Sequence, residues 1–191
     1  MKDIPRFGAT LTLVALIAAG SLAWINEITK PKIFAQQEKA LKSALIIVLP
    51  GASQKNIVPV NDENGNPAYY VGYKSQDRSE IIGYAFPVAS QGYSSVIRTL
   101  AGMDSTGSIM AIKVLFQQET PGLGTRVEEY REGESEPWWQ QQFKGLQATE
   151  LSVDKDGGKI ASITGATITS RAITDAIAAE AQRILTLLNS Q

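Results

Sequence analysis

The sequence predicts an α+β protein in which a single N-terminal transmembrane helix precedes a mainly antiparallel β domain with flanking helices. Three observations predict this fold class. A run of 18 residues without a charge, residues 8–25, lies near the N-terminus. Stretches rich in β-branched and aromatic residues alternate with turn signals between residues 69 and 116. A pattern of helical spacing then closes the chain after residue 167.

The N-terminal run Gly8–Ile25 is just long enough to cross the hydrocarbon core of a bilayer as a helix. Trp24 at its end suits the interfacial aromatic belt. Basic residues flank the run equally on both sides, so charge does not fix its orientation: Lys2, Arg6, Lys30 and Lys32. The alternative is a signal peptide cleaved at Ser21-Leu22-Ala23. We expect an uncleaved anchor over residues 1–28.

A connecting helix is predicted over residues 29–50. Pro31 is placed where a helix can begin, because its missing N–H costs nothing in a first turn, and Pro50-Gly51 ends the helix. Apolar residues recur close to helical spacing at Ile33, Phe34, Leu41, Leu45 and Val48. Two interpretations stay open: a stalk that sets the height of the functional site, and a plain packing helix.

The third predicted region, residues 51–191, begins with an antiparallel meander. Its strands are predicted at Tyr69–Tyr73, Ile81–Phe86, Val96–Met103 and Ile109–Phe116. Asn64-Gly65-Asn66-Pro67 and the turn 104–107 supply turn signals between strands. The stretch Ile109–Phe116 carries apolar residues on both faces, which predicts a central strand.

Helices and loops are predicted after the meander. We expect a loop over Glu119–Glu136, a short helix over Trp138–Phe143 and a last strand over Ile160–Ile163. The closing helix places apolar residues on one face: Ile173, Ile177, Ile184 and Leu188.

The composition limits the chemistry that is available. The chain has 18 Lys and Arg against 19 Asp and Glu, without a basic block, which argues against a nucleic-acid partner. It contains no histidine and no cysteine. Iron–sulfur clusters held by cysteine, Cys/His zinc sites, haem held by His or Cys, and Ser-His-Asp catalysis are therefore excluded. If the protein transfers electrons, its redox centre must be an organic cofactor, and we predict neither a metal site nor a self-contained catalytic site.

The most informative stretch is the run Thr164-Gly165-Ala166-Thr167-Ile168-Thr169-Ser170 before the closing helix. Gly165 allows a tight turn, and the free N–H groups and positive dipole end of a helix start suit a phosphate. Two interpretations follow from these residues alone. Thr167, Thr169 or Ser170 caps the helix, or Thr167 is the attachment point of a phosphorylated cofactor.

A second stretch, Glu119-Thr120-Pro121-Gly122-Leu123-Gly124, combines a fixed backbone angle with glycine. Pro121 restricts the chain, while Gly122 and Gly124 allow main chain to approach a planar ring or a phosphate closely. No third glycine opens a helix after them, so the stretch is not a dinucleotide fingerprint. The alternative is an ordinary turn after a strand.

Both stretches, in this order and behind a membrane anchor, resemble the motifs of the covalent-FMN proteins. That family includes the G subunit of the Rnf electron-transport complex and the related C subunit of the sodium-pumping NADH:quinone oxidoreductase. The resemblance covers nearly the whole chain. It implies FMN joined to Thr167 through a phosphoester, and it implies further cofactor-binding residues at Thr164, Gly165, Ala166, Glu119, Thr120, Gly122, Leu123 and Gly124. The family usually has an acidic residue three positions before the first threonine of the motif, where this chain has Ala161.

The resemblance also implies a setting for the protein. It is that of an electron-transfer subunit in a membrane-bound, ion-translocating ferredoxin:NAD oxidoreductase, among other membrane and peripheral subunits. A Mg-dependent flavin transferase would load the FMN. The N-terminus would lie in the cytoplasm and residues 51–191 on the extracytoplasmic, periplasmic side of the cytoplasmic membrane. Two alternatives remain: the FMN subunit of a sodium-pumping NADH:quinone oxidoreductase, and a membrane-anchored binding or assembly module without a redox role.

Overall fold

The computed structural model describes residues 3–190, so Lys2 of the predicted basic flank, and the side chain of Arg6, lie outside the described parts. The chain divides into two compact units, Met1–Ala40 and Leu41–Gln191. The helices and strands follow in the order α1 (Asp3–Val48), β1 (Ile57–Asn61), β2 (Pro67–Tyr73), β3 (Ile81–Gln91), β4 (Val96–Met103), β5 (Ile109–Phe116), α2 (Trp138–Gln141) and α3 (Thr167–Asn189).

Helix α1 is continuous across the predicted anchor and connecting helix. Pro31 lies inside it, so the predicted helix start at Pro31 is wrong. A proline inside a helix leaves the carbonyl four residues earlier without its N–H donor, here that of Glu27. Among residues 3–190, α1 is the one helix long and apolar enough to span a membrane, from Phe7 onward. The limits of the three predicted regions stay a prediction.

The five strands form one antiparallel meander in the order β1-β2-β3-β4-β5, which confirms the predicted α+β class. Strands β4 and β5 have the predicted limits. Strand β5, however, lies at an edge of the sheet, so its predicted central position is wrong. Its edge is covered from the side, because the backbone N–H of Val114 donates to Oε1 of Gln140 at 3.3 Å.

The sheet is covered on both faces within the second unit. Helix α3 and α2 pack on one face, over a core that includes Phe86, Ile97 and Trp139. The last turns of α1 pack on the other face, where Val48 and Leu49 are fully buried. The β3–β4 turn, the end of β5 and the start of α3 meet at one end of the strands.

The predicted last strand over Ile160–Ile163 is wrong. Only Ile160 joins a ladder, through a single parallel bridge to Val153. The neighbouring backbone is taken by side chains: Gln142 accepts from the N–H of Ala161 at 2.8 Å, and Trp139 donates to the Ala161 carbonyl at 3.0 Å. The predicted short helix is confirmed as α2, and the predicted apolar face of α3 is buried at Ile173, Ile177 and Ile184.

Candidate functional site

A cavity of about 570 Å³ lies between the two stretches singled out in the sequence. This volume falls in the range of small-molecule and cofactor pockets. Its lining consists of Tyr93, Glu119, Thr120, Leu123, Gly124, Gly165, Ala166, Thr167, Ile168 and Thr169. The structure therefore brings together all the predicted site residues except Thr164 and Gly122, which do not line the cavity.

The meander explains why the two stretches meet. Phe116 at the end of β5 pairs with Arg98 near the start of β4, so the chain leaves β5 beside the β3–β4 turn. The following loop runs against the turn before α3. At Gly165 the backbone has φ +79°, and a Cβ there would lie 2.9 Å from Cδ2 of Leu123. Only glycine allows this approach in this conformation.

The carboxylate of Glu119 holds three segments of the cavity wall together. It is 4% exposed. Its Oε1 accepts the backbone N–H groups of Ser94 at 3.0 Å and Ser95 at 2.9 Å, together with both serine hydroxyls. Its Oε2 accepts the backbone N–H of Tyr93 at 3.1 Å and the hydroxyl of Thr169 at 2.6 Å. The β3–β4 turn, the loop after β5 and the first turn of α3 thus share one anion.

These hydrogen bonds decide the charge of Glu119. Burial alone would raise the pKa of its carboxyl, but the donors from Thr169, Ser94 and Ser95 outweigh burial and lower the pKa below its ordinary value. Glu119 is therefore ionised at neutral pH.

Two glycines make room for this carboxylate. A Cβ on Gly92 would lie 2.6 Å from Oε1 of Glu119, and a Cβ on Gly124 would lie 2.6 Å from Cβ of Glu119 and 2.9 Å from the Thr169 hydroxyl. Side chains at either position would push the carboxylate out of place. Gly124 was predicted to let main chain approach a planar ring or a phosphate closely. In the structure, the group that approaches it closely is the side chain of Glu119.

The hydroxyls of the run 164–170, which crosses the start of α3, differ sharply in their surroundings. Thr169 and Ser170 are buried, and Ser170 accepts from the N–H of Ile163 at 3.0 Å. Thr164 is exposed and away from the cavity. Thr167 is half-buried and lines the cavity, and its hydroxyl has no hydrogen-bond partner among residues 3–190. The N-cap of α3 is Ala166, without a side-chain capping bond, so the capping interpretation is wrong.

Three residues of this wall, Tyr93, Ile168 and Thr169, were not among the predicted cofactor-binding residues. Tyr93 and Ile168 are 70% and 51% exposed at the cavity. A hairpin argument could have found Tyr93, because strands predicted to end at residue 116 and to start at residue 96 bring the turn between β3 and β4 beside the loop after β5. No comparable signal distinguishes Thr169 from its neighbours.

Two aspartates lie beside the turn before α3, although Ala161 holds the position that is usually acidic in the family. Asp154 accepts the N–H of Ser162 at 3.0 Å and also its hydroxyl. Asp156 makes a bidentate ion pair with Arg171 of α3, at 2.6 and 2.8 Å. Two carboxylates thus lie beside this turn, one of them paired with Arg171, outside the sequence position that the resemblance implied.

A second cavity, of about 300 Å³, lies elsewhere in the same unit, against β5 and α2. Lys113, Tyr130 and Lys144 are among its lining residues. None of the predicted site residues contributes to it.

The comparisons with known proteins agree with this geometry. The model of the FMN-binding domain family matches residues 92–181, and that of the RnfG N-terminal region matches residues 1–47. The G subunit of the ion-translocating oxidoreductase complex of Pasteurella multocida is 32% identical, over 100% of this chain and 98% of that protein. The G subunit of the same kind of complex from Methanosarcina acetivorans is 32% identical, over 92% of each chain.

A solved structure shares the fold. The crystal structure of Shewanella oneidensis NqrC matches with a TM-score of 0.59 and 17% identity, over 82% of this chain and 100% of that one. The family model and the fold thus identify an FMN-binding domain behind an N-terminal apolar helix that fits single-pass anchoring in a membrane complex. The chain belongs to the family of G subunits of ion-translocating oxidoreductase complexes, the Rnf family that the sequence motifs predicted.

Proposed function

We propose that this protein is the electron-transfer subunit of an ion-translocating ferredoxin:NAD oxidoreductase and carries FMN through a phosphoester on Thr167. One observation carries the choice of residue. Thr167 is the hydroxyl of the run that lines the cavity and makes no hydrogen bond within the described chain, whereas Thr169 and Ser170 are buried and engaged.

The residues around Thr167 fit FMN in chemistry. The uncapped start of α3 offers backbone N–H groups and the positive end of a helix dipole to a phosphate. Exposed apolar side chains offer contact to a planar ring: Tyr93, Leu123 and Ile168. When bound, FMN supplies the chemistry of accepting and releasing electrons, and the protein supplies its position and electrostatic surroundings.

The attachment step needs a base that this chain does not offer at Thr167. The chain has no histidine, and the lone pairs of Glu119 are directed to the β3–β4 turn and to Thr169. A separate Mg-dependent flavin transferase supplies the activation. In that step the pyrophosphate bond of FAD breaks and the FMN phosphorus joins the Thr167 oxygen. AMP leaves, and the hydroxyl proton passes to the transferase.

The decisive experiment compares Thr167→Val with Thr164→Val in a host that contains the transferase. Each protein is purified from membranes, run on a denaturing gel and examined for flavin fluorescence, and its intact mass is measured. We expect the wild type and Thr164→Val to carry one FMN and Thr167→Val to carry none. Thr164→Val is the matched control because it removes a hydroxyl of the same turn outside the cavity.

The same experiment separates the alternatives. Flavin retained by Thr167→Val would move the attachment to another hydroxyl, and a wild-type chain without flavin would favour the binding or assembly module. The longer C subunit of a sodium-pumping NADH:quinone oxidoreductase is the weaker alternative, because G subunits match this chain over nearly its full length.

We further propose that the N-terminus lies in the cytoplasm and that the FMN-binding domain lies on the periplasmic side, anchored in the bilayer through α1. The absence of native cysteine makes a direct test simple. Ser105→Cys in the exposed β4–β5 turn should react with a membrane-impermeant maleimide in intact spheroplasts, and Lys2→Cys should react only after lysis. The reverse pattern would overturn the orientation.

A further inference from the structure

Among residues 3–190, no lysine or arginine forms an ion pair with the buried carboxylate of Glu119. Its hydrogen-bond donors are neutral backbone N–H groups and hydroxyls. Ion pairs occur elsewhere on the described chain, for example Arg171 with Asp156 and Lys159 with Glu150, but none reaches Glu119. Its negative charge is therefore stabilised by dipoles and is not cancelled by an opposite charge.

This charge forms part of the wall that holds Thr167. Glu119 and Thr167 line the same cavity. Thr169, two residues after Thr167 in the first turn of α3, donates to the carboxylate at 2.6 Å. Because Glu119 is 4% exposed, water screens its charge weakly, and a charge acts more strongly through protein than through water.

We propose that Glu119 lowers the midpoint potential of the FMN carried on Thr167. FMN held on Thr167 would gain one negative charge on taking up an electron without a proton. A fixed negative charge in the wall of the same cavity opposes that addition and so favours the oxidised cofactor. This inference rests on the proposed FMN at Thr167, and it assigns Glu119 a role in tuning the cofactor in addition to holding the three segments of the wall.

The test is a redox titration of the full-length flavinylated protein in detergent micelles, wild type against Glu119→Gln. The glutamine Oε1 can keep the hydrogen bonds from Ser94 and Ser95, and the Thr169 hydroxyl can reverse its direction to accept from the new amide. The variant thus loses mainly the bond from Tyr93. We expect its midpoint potential to move to a more positive value.

Two control variants separate charge from structure. Glu128→Gln removes the same formal charge from the same loop region, at a residue that accepts from Gln117 at 2.8 Å and does not line the cavity. Thr169→Val removes one hydrogen bond to Glu119 and keeps its charge. We expect both to shift the potential less than Glu119→Gln. An equal shift in Glu128→Gln, or no positive shift in Glu119→Gln with flavin present on Thr167, would overturn the proposal.

A measurement on the wild type keeps the proposal testable if Glu119→Gln does not fold. Coupling between two sites is reciprocal, so reduction of the flavin must raise the pKa of Glu119 if Glu119 makes reduction harder. Carbon-13 labelling of the glutamate side chains allows this pKa to be measured by NMR in the oxidised and reduced protein. Equal values in both states would contradict the proposal.

The intact mass of the same samples distinguishes failure of the proposed function from failure of the inference about Glu119. A chain without FMN on Thr167 defeats the proposed function. A chain with FMN on Thr167 and an unshifted potential or pKa defeats only the inference about Glu119.

Discussion

The two sides of the cavity differ in how completely their polar groups are satisfied. The closed side consists of Glu119, Gly124 and Thr169, with Gly92 packed against the carboxylate; that carboxylate accepts hydrogen bonds from the β3–β4 turn and from α3 and so joins three segments. The open side presents exposed apolar side chains and a hydroxyl without a partner in the described chain; it consists of Tyr93, Leu123, Thr167 and Ile168. This contrast teaches that neighbouring residues of one motif have different roles: residues of the closed side hold the wall together, whereas residues of the open side would contact the proposed FMN. Substitutions should therefore separate stability from cofactor loading.

The largest effect is expected for Glu119→Ala, which removes the centre of the closed side. The N–H groups of Tyr93, Ser94 and Ser95 would lose their charged acceptor, and a hydrogen bond to a charged group contributes about 1.5–3 kcal/mol. We expect the free energy of unfolding to fall by about 3 kcal/mol. Denaturant unfolding of the detergent-solubilised chain, followed by tryptophan fluorescence, measures it. A loss below about 1 kcal/mol would mean that water replaces the carboxylate.

Gly124→Ala should have the next largest effect. The added methyl would lie 2.6 Å from Cβ of Glu119 and 2.8 Å from its Oε2, and overpacking of this kind costs about 2 kcal/mol. Gly122→Ala is the matched control, because no atom lies within 4 Å of its added Cβ although φ is +74°. It should cost about 1 kcal/mol through backbone strain alone. A loss for Gly124→Ala no larger than that for Gly122→Ala would contradict the expected cost of overpacking against Glu119.

Local patterns predicted four of the five strands and both cavity stretches, whereas strand β1 and the second half of β3, which both contain proline, were not predicted. Strand β1 contains Pro59. A proline cannot donate a ladder hydrogen bond and therefore argues against a strand, except at the edge of a sheet. Strand β1 is such an edge strand. The predicted strand that corresponds to β3 ends at Phe86, just before Pro87. Strand β3 instead continues, because residues 86–91 pair only with β4, which leaves their other side without a ladder.

The division of the cavity into two sides could not be predicted in the same way. The resemblance to the covalent-FMN proteins implied that Glu119, Gly124 and Thr167 share one site, and all three line the cavity. Which hydroxyl is engaged depends on contacts between residues 50 positions apart, as in the bond from Thr169 to Glu119. Helical spacing and turn chemistry carry no information about such distant pairs.

The pH dependence of stability should reveal the charge on the closed side. The pKa of Glu119 is lower in the folded protein than its ordinary value of 4.5, so the unfolded chain binds more protons near that pH. The stabilisation is fully present above pH 4.5 and is lost as pH falls through the folded pKa. The stability advantage of wild type over Glu119→Gln should therefore shrink on acidification. Other carboxyls with lowered pKa, such as Asp154 with a pKa of about 2, titrate in both proteins.

The smallest effect on stability is expected for Thr167→Val. This variant tests most directly whether the open and closed sides of the cavity differ. The Thr167 hydroxyl makes no hydrogen bond in the described chain, so valine of similar shape should change the free energy of unfolding of the flavin-free protein by less than about 0.5 kcal/mol. Thr169→Val, two residues away, breaks the bond to a buried carboxylate and should cost about 1.5 kcal/mol. Both variants are expressed without the transferase, so that they carry no flavin. Their free energies of unfolding are then measured by denaturant titration. Equal losses would remove the distinction between the two sides, because the hydroxyl at Thr167 would then stabilise the wall as Thr169 does.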